Sequence, residues 1–398
     1  MERIIEQYRR RIAATNQEFI RSIADTIAWD ARLVGIRGAR GVGKTTLLLQ
    51  HIAEAFSNNL NAALYASLDN LWFANHSLIE LADNFVKRGG THLFLDEVHT
   101  YPQCSQTIKN IYDDYPDLHM VFTGSSLLEI LNAHIDLSRR AVVYTMQGLS
   151  FREFLNLQTG ENFPVISLPE LLQHHETLAP EIVAHVHPFQ YFSGYLQTGY
   201  YPHFLEGLDV YPQRLEETVQ MILELELPQL RGIEIAYVPK LKQLLHIISE
   251  SAPFIPNISK LSERIGINRH TLLAYLHYLH EAKLIICLYR DAHGISALQK
   301  PDKLYLENTN LMYLLKDARP DIGTVRETFL ANQLSYGHEL EYSETGDFLV
   351  DGQYTIEVGG KNKTRAQIKT AADAYIAADN LEYGNDRKIP LWMFGFLY

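Results

Sequence analysis

The chain has 398 residues, enough for two or three globular domains. Its composition, 46% hydrophobic and 21% charged without a low-complexity run, excludes an intrinsically disordered protein. A formal net charge of −12 argues against binding of nucleic acid or an anionic membrane over the whole surface, but it leaves room for a local basic face. Two cysteines far apart, Cys104 and Cys287, exclude a disulfide framework. No apolar run approaches the ~20 residues of a membrane span. We therefore expect a cytoplasmic protein of several modules with no membrane partner.

The stretch RLVGIRGARGVGKTTLLLQHIAEAF, residues 32–56, predicts a strand, a glycine-rich turn and an amphipathic helix that begins at Lys44. It matches the phosphate-loop pattern G-x-x-x-x-G-K-[ST] in the strand-to-helix context that this loop requires. Glycines let successive backbone N–H groups face phosphates, and the helix N-terminus adds partial positive charge. We expect Lys44 to reach the β and γ phosphates of ATP, and Thr45 to ligate Mg²⁺. The residues predicted to bind the nucleotide are Gly38, Ala39, Arg40, Gly41, Val42, Gly43, Lys44, Thr45 and Thr46.

Polar residues follow the strands predicted downstream of this loop. THLFLDE ends in Asp96, expected to support Mg²⁺, and Glu97, expected to orient and polarise the attacking water. HMVFTGSS ends in Thr123, Gly124, Ser125 and Ser126. A hydroxyl there could be a sensor between phosphate and water, or a serine could cap the following helix, LLEILNAH; the two roles are compatible.

An arginine pair, Arg139 and Arg140, precedes a fifth strand, AVVYTM. It is either a solvated pair or the source of a charge-stabilising arginine, within the chain or across a subunit contact. The predicted catalytic residues are Lys44, Glu97, Ser125 and Arg140. Five strands alternating with helices predict a parallel α/β sheet that binds ATP at its carboxyl edge, in a P-loop ATPase domain over residues 1–150.

The middle of the chain is predicted to be helical, with a lid or connector over residues 151–238 and a winged helix over 239–299. Within residues 258–290, a short helix from Ser259 ends at Gly266, a longer helix begins near Arg269, and the apolar run LIICLY follows with a turn at His293 and Gly294. Five Lys/Arg against two Glu leave this segment a local excess of three positive charges. This charge permits DNA binding, but winged helices also serve ATPases as structural lids, so both readings are open.

These motifs occur in an order that resembles a known family. GxxxxGKT, LFLDE, FTGSS, LSFREFL, the winged helix, KLYLENTNLMYLL, GTVRETF and GDFLV…IEVGGK look like the AAA-type ATPases of bacteria and archaea that end in domain of unknown function 4143. The resemblance covers nearly the whole chain, and the phosphate loop is its most specific part. It implies an ATPase core, a winged helix and a restriction-endonuclease-like C-terminal domain, here residues 300–398.

In that nuclease-like fold, the resemblance implies a metal site with a glutamate on a helix, an aspartate at a strand bend and a Glu-x-Lys on the next strand. Glu327, Asp347 and Glu357 stand at matching places, and the stretch 346–364 predicts a β-hairpin. Gly359 stands where the lysine belongs. Lys361 lies two residues further, ~6.6 Å along an ideal strand. A bulge at Gly359 and Gly360 could return Lys361 or Lys363 to the site. Alternatively, the site has lost its chemistry, and the carboxylates pair with neighbouring cations on a polar surface.

The sequence as a whole predicts an ATP-binding and ATP-hydrolysing switch that couples nucleotide state to the winged helix and the tail, acting on DNA or a partner protein. One alternative is an ATP-licensed, metal-dependent DNA nuclease. Another is a regulatory scaffold that binds protein partners through its C-terminal domain. The apolar ending IPLWMFGFLY is too short to span a membrane and predicts a buried last strand.

Overall fold

The computed structural model describes residues 1–125, 139–290, 299–369 and 371–398. The chain divides into two compact units, Met1–Gln147 and Gly148–Tyr398. The predicted boundaries within the second unit, at residues 238/239 and 299/300, stay predictions. The predicted cap at Ser126, the helix LLEILNAH and the turn at His293 and Gly294 lie outside the described residues.

The first unit contains a parallel five-stranded sheet of order β2-β3-β4-β1-β5, which confirms the predicted parallel α/β sheet. Its strands are β1 (Leu33–Gly38), β2 (Ala63–Ser67), β3 (His92–Asp96), β4 (His119–Ser125) and β5 (Val142–Met146). The helices described with them are α1 (Glu2–Ala13), α2 (Lys44–Ala55), α3 (Leu78–Lys87) and α4 (Cys104–Asp114). Short 3₁₀ turns lie at Ser22–Thr26, Leu60–Ala62, Leu71–Ala74 and Val98–Thr100.

The central strands are nearly continuous apolar runs because a parallel sheet is covered on both faces. Every residue of β2 is buried, as are five of the six residues of β1. The register sets Gly38 beside Ser125 of β4 on one side and beside Met146 of β5 on the other. The carboxyl ends of these strands, which carry the predicted site residues, therefore lie together at one edge of the sheet.

The second unit begins with a helical region, as predicted. Its helices are α5 (Phe151–Thr159), α6 (Leu168–Val183), α7 (Pro188–Gly194), α8 (Tyr211–Met221), α9 (Leu227–Arg231) and α10 (Val238–Ser251). Two π-helical segments, Tyr195–Gly199 and Ile222–Glu226, continue α7 and α8. A 3₁₀ turn lies at Pro202–Glu206 and another at Ile235–Tyr237. Ser150 and Glu153 form a capping box that fixes the start of α5.

Two helices and a two-stranded sheet follow. They are α11 (Ile258–Ile265), α12 (Arg269–Glu281), β6 (Ile285–Leu288) and β7 (Lys303–Leu306), the two strands being antiparallel. Gly266 ends α11 in the left-handed conformation, as its position in the sequence indicates. The helices α13 (Thr309–Leu315) and α14 (Ile322–Leu334) come next.

A mixed sheet of order β12-β11-β10-β9-β8 forms the C-terminal part of the second unit. Its strands are β8 (Leu340–Tyr342), β9 (Phe348–Val350), β10 (Tyr354–Gly360), β11 (Ala374–Asp379) and β12 (Lys388–Pro390). The antiparallel β9–β10 pair confirms the predicted hairpin. The predicted last strand is wrong in type: only Lys388–Pro390 is extended, and Leu391–Phe396 is a buried 3₁₀ helix. The unbroken apolar run at the end of the chain predicts burial. It has no hydrophobic period that distinguishes a strand from a helical turn.

Candidate functional site

The loop between β1 and α2 strongly favours glycine at three positions. A Cβ atom on Gly38 would lie 2.3 Å from the carbonyl oxygen of Met146. Gly41 and Gly43 have φ angles of 84° and 100°, in the left-handed region that other residues rarely adopt. The glycines of the motif are therefore favoured by the close approach of β5 and by the curl of the loop itself.

Two buried cations hold the carbonyl groups of this loop. The Lys44 ammonium, 6% exposed, donates to the carbonyl oxygens of Gly38 and Ala39 at 2.9 Å each. Arg21 donates to the carbonyl oxygens of Val42 and Gln147 at 2.8 Å each. The N-cap of α2 is Gly43, which has no side chain to bond the first N–H groups of the helix, and a helix N-terminus favours an anion. The loop thus has the donors that a polyphosphate needs.

Asp96, at the carboxyl end of β3, is bound to the first turn of α2. The Thr45 hydroxyl donates to Asp96 Oδ2 at 2.7 Å, and the Tyr65 hydroxyl donates to the same oxygen at 2.7 Å. The Thr123 hydroxyl donates to the other oxygen, Oδ1. Asp96 itself is 2% exposed. The structure therefore brings together the hydroxyl and the carboxylate that were predicted to share a magnesium ion. Oxygen ligands of this kind fit that hard cation.

Glu97 follows in the left-handed conformation, with φ of 53°, which turns the chain sharply after β3. Its backbone N–H points to Asp96 Oδ1 and Thr123 Oγ1, both at 3.2 Å. Its carboxylate lies 3.3 Å from Nδ1 of the buried His99, and the backbone N–H of Ser125 lies 3.4 Å from the same nitrogen. Glu97 and Ser125 are thus neighbours through His99.

Sequence reasoning missed two residues of this site and undervalued a third. Tyr65 and His99 belong to no motif that we used, and only their contacts with Asp96 and Glu97 reveal them. Thr123 was one of several hydroxyls considered at the end of β4, and it rather than Ser125 contacts Asp96. Side chains alternate along β4, so Thr123 and Ser125 lie on the same face of the strand. Thr123 lies further inside the sheet, and this position could have favoured it over Ser125.

Arg140 lies away from this loop in its own chain. It precedes β5, whose residue Val142 is paired with Val34 at the start of β1, about 13 Å before Gly38 along an ideal strand. Its guanidinium pairs with Asp113 of α4, with Nε to Oδ1 at 3.2 Å. The prediction that Arg140 stabilises charge on a nucleotide within the same chain is therefore wrong, because parallel strands place their starts and ends at opposite edges. A role across a subunit contact stays a prediction.

The predicted carboxylates of the tail lie in one neighbourhood of the second unit, and lysines neutralise them. Lys303 of β7 donates to Glu327 Oε2 at 2.8 Å and lies 3.9 Å from Asp347 Oδ1. Tyr305 donates to the same oxygen of Glu327 at 3.2 Å. The backbone N–H of Val358 donates to Asp347 Oδ2 at 2.8 Å. Burial, followed by repulsion from Glu327, raises the pKa of Asp347 to about 6.

Gly359 occupies the position expected for the site lysine, and a lysine from the turn after β10 contacts Glu357 instead. Lys363 Nζ lies 2.5 Å from Glu357 Oε1, and a Cβ atom on Gly359 would lie 2.7 Å from the Cβ and Cγ of Lys363. Gly359 and Gly360 pair in unbroken parallel register with β11, so the predicted bulge is wrong. The prediction of Lys361 as the site lysine is also wrong in this structure, because the turn after Gly360 brings Lys363 to Glu357 instead.

The three tail carboxylates do not form a metal centre in the arrangement described. Among the residues the structure describes, no group of three or more His, Cys, Asp or Glu side chains is placed to hold a metal ion. The ammonium of Lys303 contacts both Glu327 and Asp347, as a bound cation would. The donor set in this state therefore fits lysine rather than Mg²⁺.

Comparison with known proteins gives two family matches along the chain. Residues 30–155 match an AAA domain. Residues 190–321 match a domain of unknown function, DUF8612, over the segment that was predicted to hold the end of the lid, the winged helix and the start of the C-terminal domain. No curated protein matches the chain. Two separate segments of the chain are thus similar to known families, the first to AAA domains and the second to a domain of unknown function.

Solved structures that resemble the chain do so distantly. The Orc1 protein of Aeropyrum pernix in complex with DNA is 15% identical, with a TM-score of 0.30 over 77% of this chain and 90% of that one. AMPPCP-bound DnaA from Aquifex aeolicus is 12% identical, with a TM-score of 0.29 over 65% of this chain and 85% of that one. At these scores neither structure bears on function. None of the described helices has the length and apolar character of a membrane span.

Proposed function

We propose that the protein binds and hydrolyses ATP with Mg²⁺, and that nucleotide state acts as a switch on its C-terminal unit. The observation that carries the proposal is the contact between Thr45 and Asp96 beside a loop whose conformation favours glycine at three positions. An AAA domain match over residues 30–155 supports it. The predicted phosphate-binding set, from Gly38 to Thr46, forms this loop and the first turn of α2.

The residues of the site divide the work by their chemistry. Lys44 exchanges the carbonyl oxygens of Gly38 and Ala39 for phosphate oxygens, which keeps its buried charge paired. Thr45 and Asp96 hold Mg²⁺, which when bound neutralises charge on the phosphates. Glu97 accepts a proton from the attacking water, and the His99 ring lies beside its carboxylate. Thr123 fixes Asp96 from the far side and links both acids to β4.

The test of binding compares Lys44→Ala with Lys87→Ala. Lys87 lies on α3 of the same unit, where it is exposed and pairs with Asp83. We expect Lys44→Ala to weaken ATP binding at least 100-fold, because the phosphates lose a buried cation, and Lys87→Ala to leave it unchanged. Calorimetric titration measures both. Equal ATP affinity in wild type and Lys44→Ala would overturn the proposal.

The test of hydrolysis uses Glu97→Gln, which preserves size and removes the base. We expect this variant to bind ATP like wild type and to turn over at least about 100-fold more slowly, as is typical when a general base is lost. Steady-state phosphate release measures turnover. Adding duplex DNA to the same assay then distinguishes the two predicted classes of partner: stimulation indicates DNA, and its absence indicates a protein partner.

For the tail, we propose a role in binding nucleic acid rather than in cutting it. Lys303 and Lys363 neutralise the carboxylates that a nuclease would keep for metal. A pocket of about 510 Å³ is lined by Lys363 together with Arg326 and Lys361. The cations of this surface suit phosphate contacts, which carry most non-specific affinity for nucleic acid.

The nuclease alternative has a direct test. Incubation of plasmid with Mg²⁺ or Mn²⁺, with and without ATP, is expected to give no nicking above that of Asp347→Ala. Nicking that Asp347→Ala abolishes would overturn the binding role and establish an ATP-licensed nuclease. Lys361→Glu is expected to weaken binding of labelled duplex DNA and to reduce its salt dependence. ATP-dependent protein complexes that form without any DNA effect would favour the scaffold alternative.

A further inference from the structure

Three side chains from different elements of the first unit form a line that ends at Asp96. Arg11, in the last turn of α1, donates from its NH1 group to the Tyr65 hydroxyl at 2.6 Å. Tyr65, on β2, donates to Asp96 Oδ2 at 2.7 Å. The Arg11 guanidinium also lies over the Tyr65 ring, 5.3 Å from its centroid. The N-terminal helix is thus connected to the predicted magnesium ligand by two hydrogen bonds.

The chemistry of the three groups gives this line one direction. A guanidinium can only donate, and an ionised carboxylate can only accept. The Tyr65 hydroxyl must therefore accept from Arg11 and donate to Asp96. A tyrosine hydroxyl is protonated at neutral pH, so Tyr65 has the proton that it donates. Each hydrogen bond involves a charged group, and such bonds are the stronger kind.

The same oxygen of Asp96 accepts from Thr45, the residue predicted to ligate Mg²⁺. A hydroxyl that donates its proton to a carboxylate still has lone pairs for a metal ion. The bond from Thr45 to Asp96 therefore leaves Thr45 able to ligate Mg²⁺. Tyr65 is the second donor to Oδ2, so Asp96 without Tyr65 loses one of its two partners at that oxygen.

We propose that Tyr65 is a positioning residue that couples docking of α1 to binding of magnesium and nucleotide. This inference rests on the proposed ATP site. Coupling between two sites is reciprocal. If docking of α1 on β2 raises the affinity for Mg²⁺·nucleotide through Asp96, bound Mg²⁺·nucleotide favours docking of α1 by the same factor. The first helix of the chain thereby becomes an element that reports nucleotide state, and a partner that contacts α1 shifts the affinity for Mg²⁺·ATP.

The chain offers a matched control on α1 itself. Tyr8 is buried on the inner face of this helix, and its hydroxyl donates to the carbonyl oxygen of Leu60 at 3.3 Å. Tyr8→Phe removes the same atom as Tyr65→Phe and weakens the packing of the same helix. It does not touch Asp96. A merely structural effect on α1 would therefore appear in both variants, whereas coupling to the metal would appear in one.

The first measurement is the ratio of ATP affinities with Mg²⁺ and with EDTA, determined by calorimetry on the full chain. We expect Tyr65→Phe to reduce this ratio at least about 5-fold, the lower end of typical coupling factors. Tyr8→Phe should leave it within about 2-fold. Arg11→Gln removes the hydrogen bond from the guanidinium to the Tyr65 hydroxyl and should also reduce the ratio. This variant keeps the test possible if Tyr65→Phe does not fold. A ratio that neither variant changes would overturn the inference.

The second measurement is amide hydrogen exchange in residues 2–13. A non-hydrolysable ATP analogue with Mg²⁺ should slow exchange there in wild type and in Tyr8→Phe, and should have no such effect in Tyr65→Phe. Unchanged exchange in a wild-type protein that binds the analogue would overturn the coupling and leave the ATP site intact. Failure of the wild type to bind ATP at all would instead overturn the proposed function and this inference with it.

Discussion

At the scale of single residues, two neighbouring glycines on β10 differ in what they permit. A Cβ atom on Gly359 would overlap the aliphatic chain of Lys363, whereas on Gly360 it would meet the Arg326 guanidinium at an ordinary 3.5 Å. Lys363 is the cation that contacts the buried carboxylate of Glu357. The glycine at position 359 therefore makes room for a lysine that arrives from a later turn.

Gly359→Ala is expected to push Lys363 away from Glu357 and leave a 4%-exposed carboxylate short of its cation. We expect the free energy of unfolding to fall by about 1 to 3 kcal/mol. Gly360→Ala, the matched control, should stay within about 0.5 kcal/mol of wild type. Urea denaturation at pH 7 measures both. Equal stability of the two variants would show that Lys363 does not depend on the space above Gly359.

Asp347 gives the tail a pH dependence whose sign follows from its surroundings. Its folded-state pKa of about 6 lies above the usual 3.8 because burial and Glu327 disfavour the charged form. The contribution of Asp347 to stability is therefore fully present below pH 4 and is lost as pH rises to about 6. Asp347→Asn, which keeps an acceptor for the Val358 N–H, should stabilise the protein by up to about 3 kcal/mol at pH 7 and by no more than about 0.5 kcal/mol at pH 4. Thermal unfolding at both pH values tests this, and an equal gain at the two pH values would contradict it.

At the scale of elements, the sequence predicts what is local and periodic. The loop from Gly38 to Lys44, the parallel sheet and the β9–β10 hairpin each follow from a contiguous pattern. Contacts between distant segments do not. Lys303 reaches Glu327 from β7, and no spacing along the chain connects these residues. The same limit hid Tyr65, which meets Asp96 only because β2 and β3 are adjacent in the sheet.

The π-helical segment that continues α7 shows how one side chain can sustain an unusual element. Asn310, 1% exposed, donates to the carbonyl oxygens of Tyr195 and Leu196 at 3.0 Å each. Its own oxygen accepts from the backbone N–H of Tyr200 at 2.8 Å and from the hydroxyl of Tyr211 at 2.6 Å. The polar groups freed by the π turn are therefore satisfied by a single amide.

Asn310→Ala is expected to lower the free energy of unfolding by about 3 kcal/mol or more, since several buried polar groups lose their partner at once. Asn308→Ala, also buried, removes one helix cap and one bond to Tyr201, and should cost about 1 to 2 kcal/mol. Chemical denaturation ranks the two variants. An Asn308→Ala loss as large as that of Asn310→Ala would contradict the role assigned to Asn310 in the π-helical segment.

At the scale of the whole molecule, the proposed switch requires that the first unit gain stability from its ligand. A ligand that binds only the folded state stabilises it by RT ln(1 + [L]/Kd), about 2.7 kcal/mol when its concentration is 100 times Kd. Two of the three tryptophans, Trp29 and Trp72, lie in the first unit, and Trp392 lies in the second. Trp392→Phe therefore makes tryptophan fluorescence a reporter of the nucleotide-binding unit alone.

In this single-reporter background, Mg²⁺·ATP at 100 times Kd should raise the unfolding free energy of the first unit by about 2.7 kcal/mol. Glu97→Gln should show the full gain, because it removes turnover and keeps the loop. Lys44→Ala should show about 0.4 kcal/mol or less at the same concentration, because ATP binding is at least 100-fold weaker without the buried cation. A gain that persists in full in Lys44→Ala would place nucleotide binding outside the loop from Gly38 to Thr45. Equal gains with and without Mg²⁺ would remove Thr45 and Asp96 from the metal site, whatever the role of the loop.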